Sequence, residues 1–251
     1  MIEIRNISKS YGSKKVLDDV SFNIEEGKIT SFIGPNGAGK STVLSIISRL
    51  MDSDSGEVII DGKEIKKWDS KELSKKLSIL KQSNNLNIRL TIRELVSFGR
   101  FPYCEGKLKK EDEKIVDNAL NYMKLTDIQE KYIDELSGGQ RQRAYIAMII
   151  AQDTDYILLD EPLNNLDMKH SAEMMKMLRQ MVNDLGKTII IVIHDINFAS
   201  CYSDNIVALK DGKLVNHTIT EEMITEDSLS CLYDMNFNIR EVNNQKICIY
   251  F

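Results

Sequence analysis

Lys28-Ile29-Thr30-Ser31-Phe32-Ile33-Gly34-Pro35-Asn36-Gly37-Ala38-Gly39-Lys40-Ser41-Thr42-Val43-Leu44 decides how the rest of the chain is read. Lys28 to Ile33 is a short apolar strand that runs straight into a glycine-rich loop. A helix follows, from about Lys40 to Leu50. Gly34 to Ser41 fits G-x-x-x-x-G-K-[ST], and the pattern sits between a strand and a helix as it must. Glycines let backbone N–H groups close around phosphate oxygens, and the helix N-terminus adds the positive end of its dipole. The Lys40 ammonium suits the β- and γ-phosphates of a nucleotide, and the Ser41 hydroxyl suits a Mg²⁺ ion beside them.

On the N-terminal side, Ile2, Ile4, Val16, Val20, Phe22 and Ile24 alternate with polar residues around the turn Tyr11-Gly12-Ser13. Period two with a tight turn predicts antiparallel strands. Glu57 to Ile60 is a further strand, closed by Asp61-Gly62. From about Gln82 to Ile133 strand patterns give way to helical ones, at Thr91–Gly99 and Glu111–Met123, each with a capping start. This predicts an inserted helical lobe, its helices broken by Pro102 and Gly106. The last third returns to continuous apolar strands, Tyr156–Asp160 and Thr188–Ile193, around a helix at Met168–Asp184. Such strands belong to a parallel sheet covered on both faces. Short helices and a final strand near Ile247–Phe251 form a tail from about Thr220.

Further motifs sit at the ends of these elements. Tyr156-Ile157-Leu158-Leu159-Asp160-Glu161-Pro162 is an apolar strand ending in two carboxylates, which alternate in direction. Asp160 suits Mg²⁺, and Glu161 suits the polarisation of an attacking water; by itself the pair also reads as a plain strand exit. Leu136-Ser137-Gly138-Gly139-Gln140 places an N-capping serine before a helix, a second anion-ready helix start. Either the chain holds two nucleotides, or this end completes a site on another molecule. His194 follows a buried strand, where a γ-phosphate contact is plausible beside the usual structural role. Gln82 and Asp167 are uninformative in isolation.

Bulk properties narrow the function classes. The chain has 251 residues, 42% hydrophobic and 28% charged, with a formal net charge of −5. That is an ordinary globular composition without the basic field a nucleic-acid partner requires. Lys107, Lys109 and Lys110 are followed at once by Glu111, Asp112 and Glu113, which reads as a solvated helix start. Cys104, Cys201, Cys231 and Cys248 form no C-x-x-C pair, so reduced thiols are expected. The first residues show no signal-peptide pattern, and no apolar run of membrane-spanning length occurs.

In order along the chain, these residues resemble the nucleotide-binding subunits of ABC transporters over nearly the whole length. The resemblance assigns Tyr11 to adenine stacking and Gly34, Pro35, Asn36, Gly37, Ala38, Gly39, Lys40, Ser41 and Thr42 to the Walker A loop. It makes Gln82 the Q-loop residue, a Mg²⁺ ligand and part of the catalytic set. Ser137, Gly138, Gly139 and Gln140 become the signature, Asp160 and Glu161 the Walker B pair, Asp167 the D-loop aspartate and His194 the switch histidine. It implies an α/β P-loop core with an antiparallel β part (1–81 and 134–219), a helical subdomain (82–133) and a C-terminal tail (220–251) within one domain. It implies ATP and Mg²⁺ as ligands and a head-to-tail homodimer when ATP is bound. Two integral-membrane permease subunits and, indirectly, an extracytoplasmic siderophore-binding protein are the implied partners, at the cytoplasmic face of the membrane.

Leu95–Tyr103 and Leu163–His170 look like the ATPases of ferric-siderophore, haem and cobalamin importers, so an iron(III)-siderophore is the expected cargo. An exporter subunit and a non-transport ABC ATPase are the competing classes. The latter usually carries two ATPase units or long coiled-coil insertions, and neither pattern is present.

Overall fold

The computed structural model describes residues 1–81, 88–104, 106–164 and 166–250. They divide into two compact units, 1–68 with 175–251, and 69–174.

The first unit begins with the expected antiparallel pair, β1 (Ile2–Tyr11) and β2 (Lys14–Ile24). Their register sets Ile2 opposite Ile24, Ile4 opposite Phe22 and Ile7 opposite Val20, so the apolar residues share one face. The strand β4 (Ser55–Ile60) extends this sheet on the other edge of β1 and turns through Asp61-Gly62 into the short β5 (Lys63–Glu64).

Strand β3 (Ile29–Ile33) is buried at all five residues. It pairs in parallel with β8 (Thr188–Val192) on one edge and β9 (Asn205–Lys210) on the other. A strand covered on both faces must read as a continuous apolar run, and this one does. Helix α1 (Lys40–Ile47) follows β3 and ends sooner than Leu50: the Ser48 N–H still reaches Leu44, but Arg49 takes a left-handed backbone.

Beyond β8 come α8 (Ile196–Tyr202), then β9 and the antiparallel β10 (Lys213–Ile219). The tail holds α9 (Thr220–Met223), α10 (Glu226–Tyr233) and a hairpin of β11 (Asn238–Val242) and β12 (Gln245–Ile249). The expected final strand near Ile247–Phe251 therefore lies two residues earlier, and it has a partner strand. Asn243 and Asn244, both with positive φ, make the turn.

The second unit contains α2 (Ser70–Lys76), β6 (Leu77–Leu80), α3 (Ile92–Phe98), α4 (Phe101–Cys104), α5 (Lys110–Tyr122), α6 (Gly138–Gln152) and β7 (Tyr156–Asp160). Helix α7 (Met168–Leu185) starts here and ends in the first unit. This unit encloses the expected helical stretch 82–133 and adds the parallel pair β6–β7, Leu77 opposite Tyr156 through Leu80 opposite Leu159. Thr91 caps α3 with a reciprocal capping box to Glu94.

The helices part just before Pro102 as expected: α3 ends at Phe98, four residues earlier, and Pro102 lies in the first turn of the separate α4. One expectation is corrected. Asp112 is not solvated. It is 6% exposed and accepts from Arg100 Nε at 3.0 Å, and Arg100 is itself 5% exposed and donates to the Ala151 carbonyl at 2.9 Å.

Candidate functional site

In the first unit, the register that sets Phe32 opposite Val192 brings Gly34 and His194 out at the same end of neighbouring parallel strands. The open end of a parallel sheet at its carboxyl edge is where α/β folds bind ligands. Gly34 and Gly39 shape the loop there. Gly34 has φ +138°, and an added Cβ would lie 1.9 Å from the Leu209 carbonyl oxygen. Gly39 caps α1 with φ +98°, and its Cβ would meet Leu17 Cδ2 at 2.6 Å and the Val16 carbonyl oxygen at 3.0 Å. Only glycine fits either position. Asn36 and Gly37 form the exposed rim, while Ala38, Gly39 and Lys40 are buried.

Lys40, 5% exposed, donates from Nζ to the carbonyls of Gly34 (2.7 Å) and Pro35 (2.9 Å), which fastens the head of the loop to its own first helical residue. Ser41 and Thr42 follow in the first turn of α1, both half-buried. Tyr11, exposed at the end of β1, donates its hydroxyl to Met51 Sδ at 2.9 Å. His194 is exposed. The next residue, Asp195, caps α8 by accepting from the N–H groups of Asn197 (2.8 Å) and Phe198 (3.1 Å), which holds the turn carrying His194.

In the second unit, Asp160 ends β7 and Glu161 follows with φ +50°, a left-handed backbone that a non-glycine residue adopts rarely. Such strain concentrates at functional positions. The Asn164 amide donates to the Glu161 carboxylate. Ser137 caps α6: its hydroxyl accepts from the Gln140 N–H at 3.3 Å, and Gln140 Oε1 accepts from the Ser137 N–H at 3.1 Å. Gly138 and Gly139 open the helix.

His170, which residue-by-residue reading passes over, connects two of these motifs. Its ring lies against Gly139, where a Cβ would come within 2.7 Å of Cδ2, and its Nδ1 is 2.8 Å from Asp167 Oδ1. Asp167 also accepts from the His170 N–H at 2.8 Å, and this bond, then the ring, holds its carboxyl below the usual range. The clue in the sequence was the three-residue spacing from Asp167 to His170 at a helix start. Gln82, expected as the Q-loop residue, lies outside the described residues. Among the described residues no three His, Cys, Asp or Glu side chains cluster as a self-contained metal site. Ser41 in the first turn of α1 and Asp160 at the end of β7 each carry a hard oxygen donor, and each by its chemistry suits Mg²⁺.

A family model described as "ABC transporter" matches residues 17–164. The chain belongs to the ABC transporter family. It is an ABC-type ATPase, and two of its relatives match from end to end. "Petrobactin import ATP-binding protein YclP" of Bacillus subtilis (strain 168) is 65% identical, covering 100% of both chains. "Petrobactin import ATP-binding protein FatE" of Bacillus anthracis is 46% identical, again covering 100% of both. Among solved structures, the dimeric structure of MJ0796, titled a bacterial ABC transporter cassette, superposes with TM-score 0.78 at 35% identity, over 88% of this chain and 99% of that one. The α/β fold expected from the sequence, parallel strands with an antiparallel sheet beside them, is the fold of this ABC family.

Proposed function

We propose that this chain is the ATP-hydrolysing subunit of an importer for an iron(III)-siderophore, petrobactin, and that it works at the cytoplasmic face of the membrane. The observation that carries the cargo is the 65% identity, over full lengths, to a petrobactin import ATP-binding protein. The loop from Gly34 to Thr42 supports the chemistry. Its Lys40 is placed at a helix N-terminus and suits the β- and γ-phosphates of ATP. Tyr11 stacks the adenine.

On this reading Ser41, Gln82 and Asp160 would hold Mg²⁺, which would supply positive charge against the phosphates. Glu161, with Asn164 donating to its carboxylate, orients and deprotonates the attacking water. His194 contacts the γ-phosphate. Ser137, Gly138, Gly139 and Gln140 complete the site of a second copy, with Asp167 beside them, so ATP joins two chains and hydrolysis parts them. The reading keeps 82–133 as the helical subdomain of a single domain.

Among the described residues no helix is long and apolar enough to cross a membrane. On this reading two integral-membrane permease chains are the partners. A groove of about 530 Å³ in the second unit suits them. It is lined by Arg93, Glu94, Phe98 and Phe101, with Phe98 51% and Phe101 57% exposed. Two aromatic rings left in water beside charged residues are a docking surface for a short partner helix.

The test is uptake of radioactive iron by cells whose only copy carries Glu161→Gln, with iron supplied as petrobactin, a hydroxamate siderophore, another catecholate or haem. Loss for petrobactin alone is expected. Unchanged uptake of ferric petrobactin removes that cargo, and loss for another complex names its replacement.

A further inference from the structure

Gly34 stands at the head of the phosphate loop, and its peptide group is held from both sides. Its carbonyl accepts from Lys40 Nζ at 2.7 Å. Its N–H donates to the Tyr233 hydroxyl at 3.1 Å. Tyr233 is the last residue of α10 in the C-terminal tail, 199 positions away along the chain. The Gly34 N–H therefore lies with the tail and leaves the later amides of the loop to face phosphate.

The tail is built to deliver that hydroxyl. Lys210, the last residue of β9, donates to the Cys231 carbonyl and to Asp234 Oδ1, each at 2.7 Å, and so pins the end of α10. The Leu209 carbonyl occupies the space a Gly34 side chain would need, so β9 touches the loop one residue before it grips α10. The Tyr233 ring packs on Phe237 (centroids 5.9 Å apart), which packs on Tyr250 (5.7 Å). The same tail also holds the helix that follows His194. Asn197 exchanges two hydrogen bonds with the Cys248 backbone, at 2.7 and 3.2 Å, and the Ser200 hydroxyl donates to the Lys246 carbonyl at 2.6 Å.

We propose that Tyr233 is a positioning residue for the phosphate loop: its hydroxyl, set by the tail, orients the Gly34 peptide and through it the Lys40 ammonium. The tail is thereby part of the nucleotide site's support and more than a cap. Burial raises the Tyr233 hydroxyl to about 12, so it stays neutral above the pH at which an exposed tyrosine ionises. The proposal rests on the reading of Lys40 as the phosphate contact.

Two variants of the full chain separate the hydroxyl from the packing. Tyr233→Phe keeps the ring and leaves the Gly34 N–H without its partner. The KM for Mg-ATP and the inhibition constant of inorganic tripolyphosphate should both rise about threefold to tenfold, with kcat little changed. Leu120→Ala, in the core of α5 and outside the unit that holds the tail, removes packing only. It should lower the melting temperature and leave both constants at wild-type values. Wild-type constants in Tyr233→Phe, or an equal rise in Leu120→Ala, would overturn the assignment. Absence of Mg-ATP hydrolysis by the wild-type chain would instead remove the ATPase reading beneath it.

Discussion

Tyr233 is 199 residues from the loop it touches and yields the sharpest prediction at the scale of single side chains. A tyrosine in the unfolded chain ionises near pH 10, while the buried hydroxyl is pushed up to about 12. Its folded value is raised, so its contribution to stability is fully present below pH 10 and lost as pH rises through 12. Denaturant melts across that window should show about 2–3 kcal/mol of loss that Tyr233→Phe removes; a wild-type curve as flat as the variant's would refute it. Other side chains show how far sequence reading reaches. Lys40 and Ser41 at the start of α1 and Glu161 after β7 stand on the elements that motif spacing sets for them. Asp112 was misread because charge runs are normally solvated, and the partner that buries it, Arg100, is a tertiary neighbour that no local pattern announces. His170 was missed for the opposite reason: its bond to Asp167 is local, but its value lies in the Gly139 backbone across the fold.

The loop-to-helix joint after β3 is the element on which the site depends. Gly39 supplies a left-handed N-cap to α1 with no side chain to offer a capping bond. Gly39→Ala forces a Cβ to within 2.6 Å of Leu17 and a backbone that L-residues resist. The variant should lose about 1–3 kcal/mol of stability in urea melts and most of its nucleotide affinity. Unaltered fluorescent-nucleotide binding would show that the loop adapts. Elements with strong local signals were readable. The period-two pairing of β1 and β2, the continuous run of β3 and the Thr91 and Ser137 caps all stand where the sequence set them. The hairpin of β11 and β12 was half seen, because its first strand, Asn238–Val242, is mostly exposed and lacks apolar alternation.

At the scale of the whole molecule, the head-to-tail pairing of two chains is directly testable. Glu161→Gln should bind Mg-ATP and elute as a dimer in size-exclusion chromatography, while the nucleotide-free protein elutes as a monomer; a variant monomeric at saturating ATP would sink the pairing. The fold class was legible because the order of motifs carries it. The route of the chain was less so, since the first unit is discontinuous: 1–68 is completed by 175–251. That discontinuity bears on how the protein is made. Strand β3 emerges from the ribosome early, with both edges unpaired and all five residues apolar or destined for burial. Ile29 meets Asp204 only after 175 more residues. At about 5–20 residues per second, the nascent strand waits roughly 10–35 seconds for its neighbours. Through that interval it is an open sheet edge of the kind that recruits other chains. Slow, cool expression or a holding chaperone should therefore raise the soluble yield, and a message cut short before α10 delivers a phosphate loop that never receives its brace.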